Sequence, residues 1–260
     1  MSAASTAPSA TASPVVEPNG RLAGKVAVVT GGTRGLGLAI AKAYAREGAK
    51  ILIAARTDAD LKNAAAEISA LGAEVVSARV DLADAGQASR LFIAATRGLG
   101  KVDILVNNAS LLGPRDDIEH YSIEDWNAVF AANVTSTFAV TKGMLGVMIP
   151  NNTGSIINVT SGVAHSGRAR WGAYAASKAA VKNLSETLAE EVAPYNIRVN
   201  TVNPGAIRTA MRAAAFPKED PATLPRPEDV VNAFIYLACD LSRGYTGQHV
   251  EAKDWIGRQF

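Results

Sequence analysis

A single cysteine, Cys239, stands among 260 residues. No internal disulfide can form, so a reducing compartment, the cytoplasm, is the expected setting. Cys239 follows the apolar run Phe234 to Ala238 and reads as a buried structural thiol rather than a nucleophile. The three histidines, His120, His165 and His249, are widely spaced in sequence and form no metal-ligand motif. No apolar run reaches the ~18 residues that a membrane span needs. Excess charge is missing too. With 26 basic against 24 acidic side chains and a formal net charge of +2, there is no electrostatic case for nucleic acid or an anionic membrane. The first twenty residues have Glu17 as their only charged side chain and lack the basic start and apolar stretch of a signal peptide. Arginine, which a transit segment would carry, first occurs at Arg21. Residues 1–20 therefore read as a disordered tail before one folded domain, 21–260.

Hydrophobic residues make up 48% of the chain, enough for a sizeable core. Strand-like apolar runs occur at Lys25–Thr30, Lys50–Ala55, Glu74–Val80, Val102–Val106, Ser155–Thr160 and Ile197–Val202, with a weaker one at Gly247–Ala252. Amphipathic stretches near 36–47, 58–71, 84–98, 123–149, 173–193 and 227–239 separate them. Strands apolar on both faces and alternating with helices predict a doubly wound parallel sheet of Rossmann type, a three-layer α/β/α sandwich. Ligands bind such sheets at the carboxyl ends of the strands.

The first strand runs into Thr30-Gly31-Gly32-Thr33-Arg34-Gly35-Leu36-Gly37, where a helix pattern begins. Glycines there let the backbone turn tightly and approach a pyrophosphate, which the helix amides and dipole favour. The spacing is Gly-x-x-x-Gly-x-Gly. The second strand ends Ala54-Ala55-Arg56-Thr57, without the carboxylate that would bond ribose hydroxyls and repel a 2′-phosphate. Arg56, with Arg34 from the glycine turn, favours NADP over NAD, because arginine binds phosphate bidentately. The plainer alternative is two ordinary surface arginines. Asp81 either accepts from the adenine amino group or caps a helix. The amides of Asn107-Asn108-Ala109-Ser110 either bind the cofactor or tie adjacent strand ends together.

Tyr174-Ala175-Ala176-Ser177-Lys178 lies on a helix, where residues four apart share a face and an ammonium sits beside the phenol. A nearby positive charge lowers a tyrosine pKa toward working pH. Ser161 stands thirteen residues earlier, after an apolar strand.

With these motifs in this order, joined by Asn133 and Pro204-Gly205, the chain resembles the short-chain dehydrogenase/reductase family from about Gly24 to Gly247. The resemblance implies an oxidoreductase that interconverts a carbonyl and an alcohol by direct hydride transfer to or from NADP, with no metal. It gives Tyr174 the proton transfer and Ser161 a hydrogen bond to the substrate oxygen. It gives Lys178 the nicotinamide ribose and the lowering of the tyrosine pKa. Asn133 would hold a water that links Lys178 to solvent. Cofactor contacts would come from Gly31, Thr33, Arg34, Gly35, Leu36 and Gly37 in the turn, and from Arg56, Asp81 and Leu82 at the adenosine end. Asn108, Ala109, Tyr174, Lys178, Pro204, Gly205, Ile207 and Thr209 would complete the set.

Two features depart from the family pattern. Ser110 replaces the glycine usual after Asn-Asn-Ala, and the chain end, Gln248 to Trp255, lacks the usual Val-Asp-Gly-Gly. A substrate lid is expected between Gly205 and Arg226, and Leu111, Leu112, His165, Trp171 and Met211 are candidates for the pocket. Ala179, Ala180, Leu184, Leu188 and Val192 spread apolar character round the Tyr174 helix, which suits pairing across a homodimer or homotetramer. Two readings compete with a general carbonyl reductase: a 3-oxoacyl-thioester reductase, and a non-catalytic nucleotide-binding scaffold or sensor.

Overall fold

Alternation along the first strand sets the layers. The structure, a computed structural model, describes residues 20–260, so the tail expected over 1–20 lies, save for Gly20, outside the described residues. In β1 (Val26–Thr30), Ala27 and Val29 join one apolar cluster and Val28 joins another. In β2 (Lys50–Ala55), Ile51 and Ile53 divide from Leu52 in the same way. Successive side chains point to opposite faces of a strand, so a strand apolar at every position needs cover on both sides. Each fully buried Val, Leu or Ile contributes about 1.5–3 kcal/mol.

The remaining strands are β3 (Val75–Arg79), β4 (Ile104–Asn107), β5 (Gly154–Val159), β6 (Ile197–Asn203) and β7 (His249–Glu251). All pairings are parallel, in the order β3-β2-β1-β4-β5-β6-β7. The order reverses between β1 and β4, where Ala27 pairs Ile104 and Val29 pairs Val106. That crevice at the carboxyl ends is where a doubly wound sheet receives its ligand. The weak last strand forms as three residues, with Thr201 opposite His249 and Asn203 opposite Glu251.

The helices are α1 (Gly35–Arg46), α2 (Asp58–Ser69), α3 (Ala88–Leu99), α4 (Ile123–Phe130), α5 (Ser136–Met148), α6 (Gly172–Glu191), α7 (Ala210–Ala215) and α8 (Asn232–Ala238). The single amphipathic stretch expected over 123–149 is divided by a π-turn, Ala131–Thr135. Hydroxyls stabilise the widened backbone, Ser136 donating to the Ala132 carbonyl at 2.6 Å and Thr137 to the Asn133 carbonyl at 2.8 Å. A π-turn rotates the side chains that follow, and here it turns Asn133 into the interior. The sequence pattern missed α7, because six residues are too few to show a helical period. Leu188 and Val192, expected on an outward apolar face of α6, pack into the core, while Ala180 and Leu184 stay half-exposed. Cys239 is buried, and that burial pushes its thiol pKa up.

Candidate active site

The glycine turn is held from two directions. Gly31 N–H donates to the Ala54 carbonyl at 3.0 Å, fastening the turn to β2. Asn108 Nδ2 donates to the Thr30 and Gly31 carbonyls at 3.0 and 3.2 Å, fastening it to β4. Thr30 Oγ1 accepts in return from the Asn108 and Ala109 amides at 3.0 and 3.1 Å. Asn108 thus ties strand ends together, one of the two roles open to it from sequence. Gly31 adopts φ +63°, a backbone region that favours glycine. A Cβ on Gly37 would lie 2.2 Å from the Gly31 carbonyl oxygen, so α1 can approach the turn only without a side chain there. The helix has no acid in its first turn and Arg34 stands at its cap, so the exposed amides meet no competing negative charge. Thr209 caps α7, its Oγ1 accepting from Arg212 N–H at 3.2 Å, and its methyl lies 3.5 Å from where a Gly35 Cβ would sit. Gly205 adopts φ +75°, and Ile207 is buried.

Arg34 and Arg56 are exposed, and among the described residues neither guanidinium makes an ion pair. Arg79, at the end of β3, donates to the Arg56 carbonyl at 3.3 Å and pairs with Asp58 at 3.1 Å. Sequence pattern did not single it out, although it ends the strand next to the one that carries Arg56. Asp81 Oδ1 accepts from Ala83 N–H at 3.0 Å, a local turn rather than a helix cap, and Leu82 is buried beside it.

The Tyr174 phenol sits near the amino end of α6, buried, with Lys178 one turn on. Lys178 Nζ lies 5.6 Å from the tyrosine ring centre and donates to the Val159 carbonyl at 2.8 Å. Burial lowers the lysine pKa to about 8 and raises the phenol pKa to about 12. The groups that oppose the rise in the phenol are the Ser110 and Ser161 hydroxyls beside it. In the chain alone Lys178 is not among them, so the lowering expected of it does not appear there. Ser161 reaches the phenol because β5 ends at Val159 and the backbone stays extended through Ser161.

Asn133 is buried, and both ends of its amide are engaged. Its Oδ1 accepts from Leu111 N–H at 2.7 Å and Ser110 Oγ at 3.1 Å, and its Nδ2 donates to the Leu111 carbonyl at 3.0 Å and Ser177 Oγ at 2.9 Å. Ser177 in turn donates to the Tyr174 carbonyl at 2.8 Å. Asn133 from the π-turn, Ser161 from the end of β5, and Tyr174 and Lys178 from α6 thus come together from three separate elements, with Ser110 from the β4 loop among them.

Of the pocket candidates, Trp171 and Leu112 pack with Tyr174, Ala215 and Phe216. Leu111 and Met211 are exposed, at 41% and 37%. His165 turns elsewhere. Its ring packs edge-on against His249, centres 4.3 Å apart, beside β7. Arg115 was not anticipated. Its guanidinium lies 4.8 Å from the Trp171 ring centre and 4.9 Å from that of Phe216. No periodicity marks a loop arginine, and only the folded chain brings it to these rings.

The fold and this arrangement agree with comparisons to known proteins. A family model for short chain dehydrogenases matches residues 25–220. An uncharacterized oxidoreductase of Escherichia coli K12, YciK, is 34% identical over 232 residues, covering 88% of this chain and 92% of that protein. The 3-oxoacyl-[acyl-carrier-protein] reductase FabG of Chlamydia pneumoniae is 37% identical over 236 residues, covering 87% and 94%. A short chain dehydrogenase structure from Shigella flexneri 2a strain 301, complexed with NADP, gives a TM-score of 0.85 at 34% identity, covering 90% of this chain and 99% of that one. On the family match and these identities, the chain belongs to the short-chain dehydrogenase family.

Proposed function

We propose that this chain is an NADP(H)-dependent oxidoreductase that interconverts a carbonyl and an alcohol, with Tyr174 as the acid/base and residues 21–260 acting as one catalytic domain. The observation that carries the reading is the buried phenol, with the Ser161 hydroxyl beside it and Lys178 flanking it, at the sheet edge that also holds the glycine turn.

The residues present fit the cofactor. The close approach of Gly31 and Gly37 leaves room for backbone rather than side chains, and the helix amides suit a pyrophosphate. Gly31, Thr33, Gly35, Leu36 and Gly37 would line it, with Ala109, Pro204, Gly205, Ile207 and Thr209 on the opposite side. Arg34 and Arg56 would hold the 2′-phosphate, and Asp81 and Leu82 would border the adenine. That the Shigella flexneri relative was crystallised with NADP supports this choice.

When bound, the reduced nicotinamide supplies a hydride to the carbonyl carbon. Ser161 donates a hydrogen bond to the carbonyl oxygen, and Tyr174 gives that oxygen its proton, which yields the alcohol. Lys178 holds the ribose and, when charged, stabilises the phenolate left behind. Asn133 would hold a water leading from Lys178 to solvent. Microscopic reversal oxidises the alcohol, with the phenolate as base.

A homodimer or homotetramer and a cytoplasmic setting belong to the same reading, as do a small-molecule substrate and the absence of a nucleic-acid or membrane partner. The FabG relative favours a second reading within it, a 3-oxoacyl-thioester reductase. The intact Asn133, Ser161, Tyr174 and Lys178 set speaks against a non-catalytic scaffold. The test is NADPH oxidation over aldehydes, ketones, sugars and 3-oxoacyl thioesters, run beside Tyr174→Phe. The substitution removes one proton donor and almost no volume, so turnover should vanish while NADPH affinity stays within a few-fold. Activity within about tenfold of the parent would remove Tyr174 from the acid/base role.

A further inference from the structure

We propose that the substrate carries an anionic group, carboxylate or phosphate, and that Arg115 and Arg168 receive it across the aromatic rings beside Tyr174. The inference rests on the oxidoreductase reading and deepens it by naming the substrate class.

Trp171 and Tyr174 are in edge contact with ring centres 5.8 Å apart, and Phe216 lies 5.8 Å from Trp171 on its other side. Arginines surround this row of rings. The guanidinium carbons of Arg115, Arg168 and Arg212 lie 4.9, 5.4 and 3.8 Å from the Phe216 ring centre. Their faces are the negative parts of the rings, which holds the guanidinium planes in place without neutralising their charge. Only Arg212 has a carboxylate partner among the described residues, Glu219 at 2.6 Å. Asp116 and Asp117, next to Arg115 in sequence, make no ion pair with any of these arginines.

Arg115 itself is half-buried. One terminal nitrogen donates to the Ala215 carbonyl, and Nε is shielded from solvent without a partner. Burial, and then the charges of Arg168, Arg170 and Arg212, press its pKa down, so the four sense one another. Arg170 holds φ at +67°, a strained backbone for a side chain this size, in the loop that leads directly into Trp171. Like charges collected beside the Trp171 and Phe216 rings, Arg115 and Arg168 among them without a carboxylate partner among the described residues, destabilise the chain alone and attract an anion. Arginine binds carboxylate and phosphate oxygens bidentately, so the cluster also suits both groups in geometry. A carbonyl compound bonded to Ser161 and Tyr174 would lie along Trp171 and present its far end to Arg115.

Matched pairs test the proposal: 3-oxobutanoate with its methyl ester, and dihydroxyacetone phosphate with dihydroxyacetone. For each pair, kcat/KM with NADPH is measured, and calorimetric affinity for the NADP-bound enzyme is measured alongside. The expected result is an anion preference of at least about tenfold in one pair, falling to about threefold or less in Arg115→Gln. The carboxylate and phosphate pairs distinguish which anion the site takes. Arg168→Gln, at an exposed side chain over the Phe216 ring, should reduce the same preference and guards against misfolding of the first variant. Neutral members bound and turned over as well as the anions in both pairs would overturn the proposal, as would a preference that survives both variants. Anion binding without NADPH turnover on any carbonyl would instead count against the oxidoreductase reading and leave the anion site standing.

Discussion

The Ser110 hydroxyl donates to Asn133 Oδ1 at 3.1 Å, joining the end of the β4 loop to the π-turn between α4 and α5. The same hydroxyl stands beside the Tyr174 phenol and, with Ser161, opposes the rise that burial imposes on it. A glycine, usual at this position in the family pattern, could make neither contact.

Ser110→Ala should therefore raise the Tyr174 pKa further, because one of the two hydroxyls that oppose the rise is lost. In alcohol oxidation the phenolate is the base, so the acid limb of the kcat/KM profile should move to higher pH, with less change in KM for NADP. Lys178→Ala should move that limb the same way and also weaken cofactor binding, since one ammonium serves phenol and ribose. A profile in Ser110→Ala that overlays the parent would mean the hydroxyl acts on packing alone.

Lys178 also makes a pH-dependent contribution to stability. Its pKa falls from 10.5 to about 8 on burial. Between those values the unfolded chain holds a proton that the folded chain has released, so the stability of the cofactor-free parent rises with pH across the window. Below it, both states are charged and the folded chain carries the full cost of burial, on the order of 3 kcal/mol. Lys178→Met should then raise Tm most below pH 8, with the gain shrinking as pH climbs toward 10.5. Thermal unfolding on both sides of the window reads this directly, and a gain independent of pH would show that the lysine is not buried in its charged form.

Arg56→Ala should raise KM for NADPH far more than KM for NADH, by about ten- to a hundredfold for a lost charge-assisted contact of roughly 1.5–3 kcal/mol. Arg34→Ala should act in the same direction. Only NADPH carries the 2′-phosphate, so the two cofactors control for general damage. Equal weakening of both, or tighter binding of NADH by the parent, would leave Ala54-Ala55-Arg56 as a neutral ribose pocket.

Gly37→Ala places a Cβ 2.2 Å from the Gly31 carbonyl oxygen and 2.5 Å from Asn108 Nδ2. The turn must shift, so the variant should lose about 1–3 kcal/mol of stability and most of its NADPH affinity. Gly143→Ala, in the middle of α5, is the contrasting case. Its Cβ would meet only the Phe92 Cβ at 3.7 Å, and it should gain about 0.5–1 kcal/mol from helix propensity. Denaturant unfolding of the pair separates close approach from backbone freedom.

Relationships within a turn or two of chain were legible in the sequence. Both-face apolar runs predicted the parallel sheet, the glycines predicted the strand-to-helix turn, and the spacing of Tyr174 and Lys178 predicted a shared helix face. Each depends on a local backbone period, which side-chain order encodes directly. Recognising Asn133 and Ser161 required the family resemblance, because nothing local distinguishes a lone Asn or Ser. The tertiary structure alone decided which distant groups meet. It turned Asn133 inward through a π-turn that a helical pattern does not reveal, and brought Ser110 to it across 23 positions. It set His165 against His249 instead of in the pocket, and gathered Arg115, Arg168 and Arg212 on Phe216. These contacts follow from how strands stack and loops fold back at one sheet edge, and separation along the chain carries no information about them.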